Sequence, residues 1–485
     1  MSELRPTAVL NIVGLTPNHI GTFTPRLKAF LSRGWTLPLQ EPFPAVTCTS
    51  QSSMLTGLRP EEHGIVGNGW YFRDQAEVAF WKQSNRLVRG EKVFEKLNRS
   101  HEGFTCAKLF WWYNMYAAVD YAATPRPHYP ADGRKIFDIY TAPADMHDPL
   151  VKDLGPFPFF SFWGPASGIA SSQWIAESAK WTWRKHHPTL NLVYLPHLDY
   201  GLQKFGPHAA GMEKELRAID KVAGDLIEFY EREGVQVLVV SEYGITEVTR
   251  HLHPNRILRE AGLLEIRTTL DWETLDMGAS RAFAVSDHQI CHIYLNDPAC
   301  RSKVIGLFEN APGTRKIIHG EDRARHGLNH ERAGDIILMA EPDCWYTYYY
   351  WLQDKKAPDY ARCVDIHRKI GYDPVELFLD PKVPLIKWRM AAKLAKKTLG
   401  FRYYMDVIPL DASLVKGSHG TPVDDPGQGP LLMGADPADK EWILRKHAQG
   451  LPENTGLPEL SPRPDMRLIG AMIENLVAPK TSSSA

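Results

Sequence analysis

Two carboxyl groups stand just beyond apolar runs in this chain. Residues 190–195 lead into Pro196-His197-Leu198-Asp199, and residues 235–240 lead into Ser241-Glu242-Tyr243-Gly244. Carboxyl, phenol and imidazole groups are the side chains that carry general acid–base chemistry. A third block starts at Pro44-Ala45-Val46-Thr47 and closes at His63-Gly64-Ile65-Val66-Gly67-Asn68, and a late His419 sits in Gly417-Ser418-His419-Gly420.

The elements that would position these groups read as an α/β protein. Residues 8–14 form a continuous apolar run ending in Gly14, the mark of a strand buried on both faces. Thr24-Pro25 opens a helix with Pro in its first turn, and Gly34 stops it. Residues 212–231 are rich in Glu, Lys, Leu and Ala and read as a helix. Strands alternating with helices predict a mostly parallel sheet covered by helices on both faces. In such sheets ligand chemistry collects beyond the carboxyl ends of the strands, where Val13, Asp199 and Glu242 lie.

The Thr47–Asn68 block resembles the nucleophile block of the alkaline-phosphatase superfamily, specifically its type I phosphodiesterase/nucleotide pyrophosphatase branch. The resemblance implies an alkaline-phosphatase-like fold and a small phosphorylated substrate. It implies that Thr47 attacks phosphorus and that Asn68 binds a phosphoryl oxygen. It also implies two divalent metal ions, usually zinc, of the kind that stabilise attacking and leaving oxygens. Asp199 matches an Asp of one metal site and His419 matches the terminal His. The resemblance runs from about residue 9 to 434.

Most of the other implied ligands are altered. The first Asp aligns with Val13, the His four residues after Asp199 aligns with Gln203, and the Asp-His pair aligns with Glu242-Tyr243. The remaining ligand set is Asp199, Gln203, Glu242 and His419. It predicts at most one tightly bound divalent ion, and its oxygen-rich character suits manganese or magnesium better than zinc. His197 is the best substitute ligand, because strand alternation would set it on one face with Asp199. Asn11, His19 and His367 are weaker candidates, each read first as a hydrogen-bonded loop or strand residue. Three readings stay open: a hydrolase using Thr47, a metal-poor binding protein on the same scaffold, and a repurposed enzyme of natural-product metabolism working through Glu242, Tyr243 or His197.

Bulk properties narrow the class further. Lys and Arg number 56 against 57 Asp and Glu, so no global basic field points to nucleic acid. Six scattered cysteines without a C-x-x-C pair argue against a disulfide framework or a cysteine zinc site. No secretory signal or membrane span is visible, which predicts a cytoplasmic protein. The catalytic domain is expected over 1–440, with insertions at about 71–168 and 255–333. An extension is expected over 441–485, its end disordered. The first insertion is dense in aromatic residues, readable as core or as a substrate wall. Residues 382–404 hold seven Lys and Arg and no acid, and read either as a solvated helix face or as a surface for an anionic membrane or a phosphorylated substrate.

Overall fold

The computed structural model describes residues 4–450 and 463–479. Twelve strands build its two larger sheets: β1 (Thr7–Ile12), β2 (Trp35–Pro38), β3 (Cys106–Leu109), β4 (Tyr121–Pro125), β5 (Ile139–Ala142), β6 (Leu190–Leu195), β7 (Gln236–Val240), β8 (Ala282–Asp287), β9 (Ile290–Leu295), β10 (Thr314–His319), β11 (Ile336–Ala340) and β12 (Leu431–Gly434). The main sheet has eight strands in the order β2-β12-β7-β1-β6-β3-β4-β5. Its centre, from β7 to β4, is parallel throughout. The antiparallel pairings lie toward the edges. β1 and β6 are buried along their whole length, so both faces are covered, and that is why their sequences run apolar without alternation. Helices fall into two packed groups. Ile169–His186 packs with Met212–Arg232, while Thr47–Thr56 packs with Leu468–Val477.

The residues expected as a first insertion supply β3, β4 and β5 to one side of the main sheet. Three short strands among aromatic segments give little periodicity, and pairing with β6 decides their place. The second expected insertion, 255–333, supplies β8, β9 and β10 of a four-stranded antiparallel sheet β8-β9-β11-β10, whose remaining strand β11 lies beyond that range. A separate apolar core beside this sheet also draws on Tyr346, Tyr348, Tyr349 and Trp351. This cap stands over the carboxyl ends of the main strands. The hairpin end Asp287-His288 reaches the Thr47 region, since Asp287 accepts from the Asn68 backbone.

Part of the C-terminal extension belongs to the core. Helix Leu468–Val477 lies against helix Thr47–Thr56, and Arg5 N–H donates to Val477 carbonyl at 2.8 Å. The approach is close at Gly470, where an added Cβ would stand 2.9 Å from the Met54 carbonyl oxygen. The expected disorder at 481–485 lies outside the described residues. Gly470→Ala should therefore push two backbones apart and destabilise the protein by about 1–3 kcal/mol in urea unfolding. An unchanged unfolding midpoint would show that this contact does not anchor the Thr47 helix.

Candidate active site

Thr47 is the first residue of helix α1 (Thr47–Thr56), at the loop-to-helix junction beneath the cap. The helix ends where Gly57 turns left-handed, with φ of +71°. No side chain from its own N-terminus caps it. Asn68 does so from a distance, its Oδ1 accepting from Cys48 N–H at 3.0 Å. The Asn68 amide nitrogen donates to Asp287 Oδ1 at 3.1 Å, and its backbone N–H donates to Asp287 Oδ2 at 2.8 Å. One amide proton of Asn68 is thus committed and the other is left for a ligand.

A continuous polar chain starts at the Thr47 hydroxyl. It lies 3.1 Å from the Tyr243 hydroxyl. Tyr243 donates to Asp199 Oδ1 at 3.1 Å, and Gln203 donates to Asp199 Oδ2 at 2.7 Å. Tyr372 of the cap region closes the chain, donating to Gln203 Oε1 at 3.0 Å. Asp199 and Gln203 are one helical turn apart on helix α2 (His197–Phe205), which is why their side chains meet. Gly244 lets Tyr243 enter this space: a Cβ there would stand 1.7 Å from the Gln428 carbonyl oxygen.

Glu242 is also fully buried. Its Oε1 accepts from Asn11 and Gln51, each at 2.6 Å, while its Oε2 has no hydrogen-bond partner among the described residues. Burial pushes Asp199 up to about 7 and Glu242 up to about 8, with the donated hydrogen bonds offsetting only part of the desolvation.

His419 sits inside a four-ring stack. It lies 3.6 Å from the Tyr243 ring and 3.8 Å from His288, which in turn lies 3.7 Å from Tyr372. His419 Nδ1 is 2.8 Å from the Ala45 carbonyl, so it carries the proton and leaves the Nε2 lone pair 3.9 Å from Asp199 Oδ1. Burial lowers both His288 and His419 well below the usual imidazole value, so the stack is neutral. Half-buried Trp81 and Trp163 flank Tyr372 at ring separations of 6.0 and 5.5 Å, and Trp112 packs on Trp81 at 4.7 Å. The aromatic segment thus contributes both core, as at Trp111, and a wall beside the site.

The structure brings Thr47, Asn68, Asp199, Gln203, Glu242 and His419 into one region. It sends His197 elsewhere. The strand has already ended, His197 begins α2, and its Nε2 lies 2.8 Å from Glu215 Oε2. Helical geometry, not strand alternation, governs the pair. Gln51, Asp287, His288 and Tyr372 join the site without having been assigned a role from sequence. Gln51 had a signal, standing four residues after Thr47 on one helix. Tyr372 had none, since 169 residues separate it from Gln203.

A main sheet of this topology, bearing Thr47 at a helix start and acidic groups at strand ends, defines an alkaline-phosphatase-like hydrolase scaffold. The sequence model of the family described as type I phosphodiesterase / nucleotide pyrophosphatase matches residues 7–373, and the chain belongs to that family of phosphoric ester hydrolases. A relative in Schizosaccharomyces pombe, an uncharacterized pyrophosphatase/phosphodiesterase, is 25% identical over 234 residues, 46% of this chain and 41% of that protein. The chain therefore matches less than half the length of that relative. Phosphonoacetate hydrolase from Sinorhizobium meliloti, solved with phosphonoformate, is similar in structure with a TM-score of 0.60 at 15% identity, covering 99% of this chain and 96% of the other. Murine ectonucleotide pyrophosphatase/phosphodiesterase 5, an inactive variant solved with AMP, gives 0.57 at 12% identity over 98% and 95%.

Family members use divalent metals, but a two-cation centre does not fit these residues. Val13, just past the end of β1, is apolar and fully buried. The Tyr243 hydroxyl occupies the space between Thr47 and Asp199. Gln203 turns its NH₂ to Asp199 and its carbonyl to Tyr372, and Glu242 is engaged by Asn11 and Gln51. Among the described residues no three His, Cys, Asp or Glu side chains converge as a metal-binding group.

Glu242 offers a test of this electrostatic picture. Folding raises its pKa, so its stabilising contribution is complete below the unfolded value near 4.3 and is lost as pH rises toward about 8. Glu242→Gln keeps an acceptor for Asn11 and Gln51. Between pH 5 and 8 the variant should gain on the wild type by about 1 kcal/mol per pH unit, levelling off above. Urea unfolding of both at each pH checks this, and a gap constant with pH would refute it.

Proposed function

We propose that this chain hydrolyses a phosphodiester or pyrophosphate of a small phosphorylated metabolite, with Thr47 as nucleophile. The observation that carries the reading is the contact chain from the Thr47 hydroxyl through Tyr243 to Asp199. The Thr47 oxygen attacks phosphorus while its proton passes to the Tyr243 oxygen and the Tyr243 proton passes to Asp199. The phosphorus–oxygen bond to the leaving group breaks, and the leaving oxygen departs with the bonding electron pair and takes its proton from water. Water then attacks the same phosphorus, the bond to Thr47 breaks, the Thr47 oxygen recovers a proton from Asp199 through Tyr243, and a phosphomonoester is released. The free amide proton of Asn68 and the N-terminus of α1 stabilise negative charge on the phosphoryl oxygens. The tryptophans beside Tyr372 form the wall against which the organic part of the substrate rests.

A divalent cation bound here would polarise the phosphoryl group. The donors support at most one, whether zinc, manganese or magnesium: Asp199 and His419, with Gln203 and Glu242 beside them. The protein is assigned to the cytoplasm, in keeping with six free cysteines, and no nucleic acid is assigned as partner. Among the described residues no helix is long and apolar enough to cross a membrane.

Thr47→Ala should abolish turnover of a nitrophenyl phosphodiester with the fold intact. Tyr243→Phe keeps the ring on His419 but removes the hydroxyl, and should lower kcat about 10²–10³-fold with KM little changed. Full activity in Thr47→Ala, or a Tyr243→Phe effect confined to KM, would overturn the assigned roles.

Metal content is a separate measurement. Metal-replete wild type should carry no more than one divalent ion per chain by elemental analysis. The fourfold variant Val13→Asp, Gln203→His, Glu242→Asp, Tyr243→His should carry more, because it adds a carboxylate and two imidazoles around Asp199 and Glu242. Two fully occupied sites in the wild type would contradict the reading of the donors.

A further inference from the structure

We propose that residues 382–404 form an arm that docks the protein on the surface of an anionic lipid bilayer. The arm leaves and rejoins the cap at one place, where Asp380 N–H donates to the Val407 carbonyl at 2.8 Å. Its helix, Ile386–Thr398, contains no fully buried residue. Ile386 and Met390, with Met405, touch the cap core and fix which face turns outward.

That outward face is apolar. Trp388, Ala392, Ala395 and Leu399 follow one another at spacings of four, three and four, a single stripe on a helix with 3.6 residues per turn. Trp388 is 75% exposed and Leu399 72%. Leu385 precedes the stripe and Phe401 follows it, both largely exposed. A helix bathed in water would place polar groups there, and this one places its only tryptophan there.

The charges beside the stripe have one sign. Arg389 and Lys393 pair with Asp406, and Lys382 lies 3.6 Å from Asp411. Lys387, Lys396, Lys397 and Arg402 form no ion pair among the described residues, and the arm itself has no acid to offer them. The chain as a whole has a net charge of −1, so this positive field is local. Lys387 and Lys396 project on opposite flanks of the stripe, from where their ammonium groups can reach phosphate while their methylene stems extend the apolar surface. An apolar stripe with aromatic side chains between rows of cations matches the headgroup layer of a bilayer, where rings sit at the interface and lysines meet anionic lipid. A purely electrostatic partner such as a nucleic acid would make no use of the stripe.

Flotation of the full-length protein with vesicles tests this, and the readout does not require catalysis. Vesicles of equal phosphatidylcholine and phosphatidylglycerol should carry the protein at low ionic strength, and vesicles of phosphatidylcholine alone should not. Trp388→Ser with Leu399→Ser, and separately Lys387→Glu with Lys396→Glu, should each reduce partitioning about tenfold or more. Both pairs lie on exposed positions and should leave the thermal midpoint unchanged. Failure of the wild type to bind the anionic vesicles would overturn the proposal. So would a serine variant that partitions like wild type, or binding of heparin or RNA by wild type and serine variant alike without vesicle binding.

Discussion

Two buried carboxyl groups, Asp199 and Glu242, set the terms for everything around the site. A carboxylate taken out of water must be neutralised, coordinated or surrounded by donors. Here amides and a phenol meet that need: Gln203 and Tyr243 donate to Asp199, while Asn11 and Gln51 donate to Glu242. Gln203 gives Asp199 an amide donor, and Tyr243 gives it a hydroxyl that also reaches Thr47.

The same constraint explains why the cap is part of the site and not only a cover. Asp287 and His288 lie at the tip of the β8–β9 hairpin, where the carboxyl group holds Asn68 in place and the imidazole enters the ring stack. Tyr372 completes the polar chain from the other side. Its segment is pinned by Lys369, buried between Asp373 and Glu376 at 2.7 Å from each, with Trp163 donating to Glu376 at 2.5 Å. Charges so deeply buried tolerate little displacement, since losing one partner strands the others. A rigid polar anchor beside a neutral aromatic stack keeps the site ordered without relying on cations for its shape.

The surface obeys a different balance. Exposed helices elsewhere carry matched charges: Arg26 pairs with Asp225 and Glu228, and Arg33 with Glu231. Such pairs contribute little stability individually, yet they show how an ordinary exposed helix is built here. The helix over Ile386–Thr398 departs from that pattern in both charge and exposed apolar area.

The sequence by itself determined the scaffold and the centre of the site. Short continuous apolar runs closed by Gly or Pro read as strands buried on both faces, and polar residues just past their ends lie near the crevice where such sheets bind ligands. That logic, with the Thr47–Asn68 block, carried the fold class and placed Thr47, Asn68, Asp199 and Glu242 together. It failed at His197, because the chain turns helical one residue after Pro196 and helical spacing replaces strand alternation. Only the tertiary structure decided which groups answer each buried charge. Tyr372, Asp287 and His288 reach the site across large sequence separations and meet it only once the cap closes on the sheet, while Asn11 meets Glu242 through the pairing of β1 with β7. Tertiary structure alone likewise drew Leu468–Val477 onto the Thr47 helix, where the small side of Gly470 lets two backbones meet. Periodicity reports which face of an element is buried, but not what it is buried against.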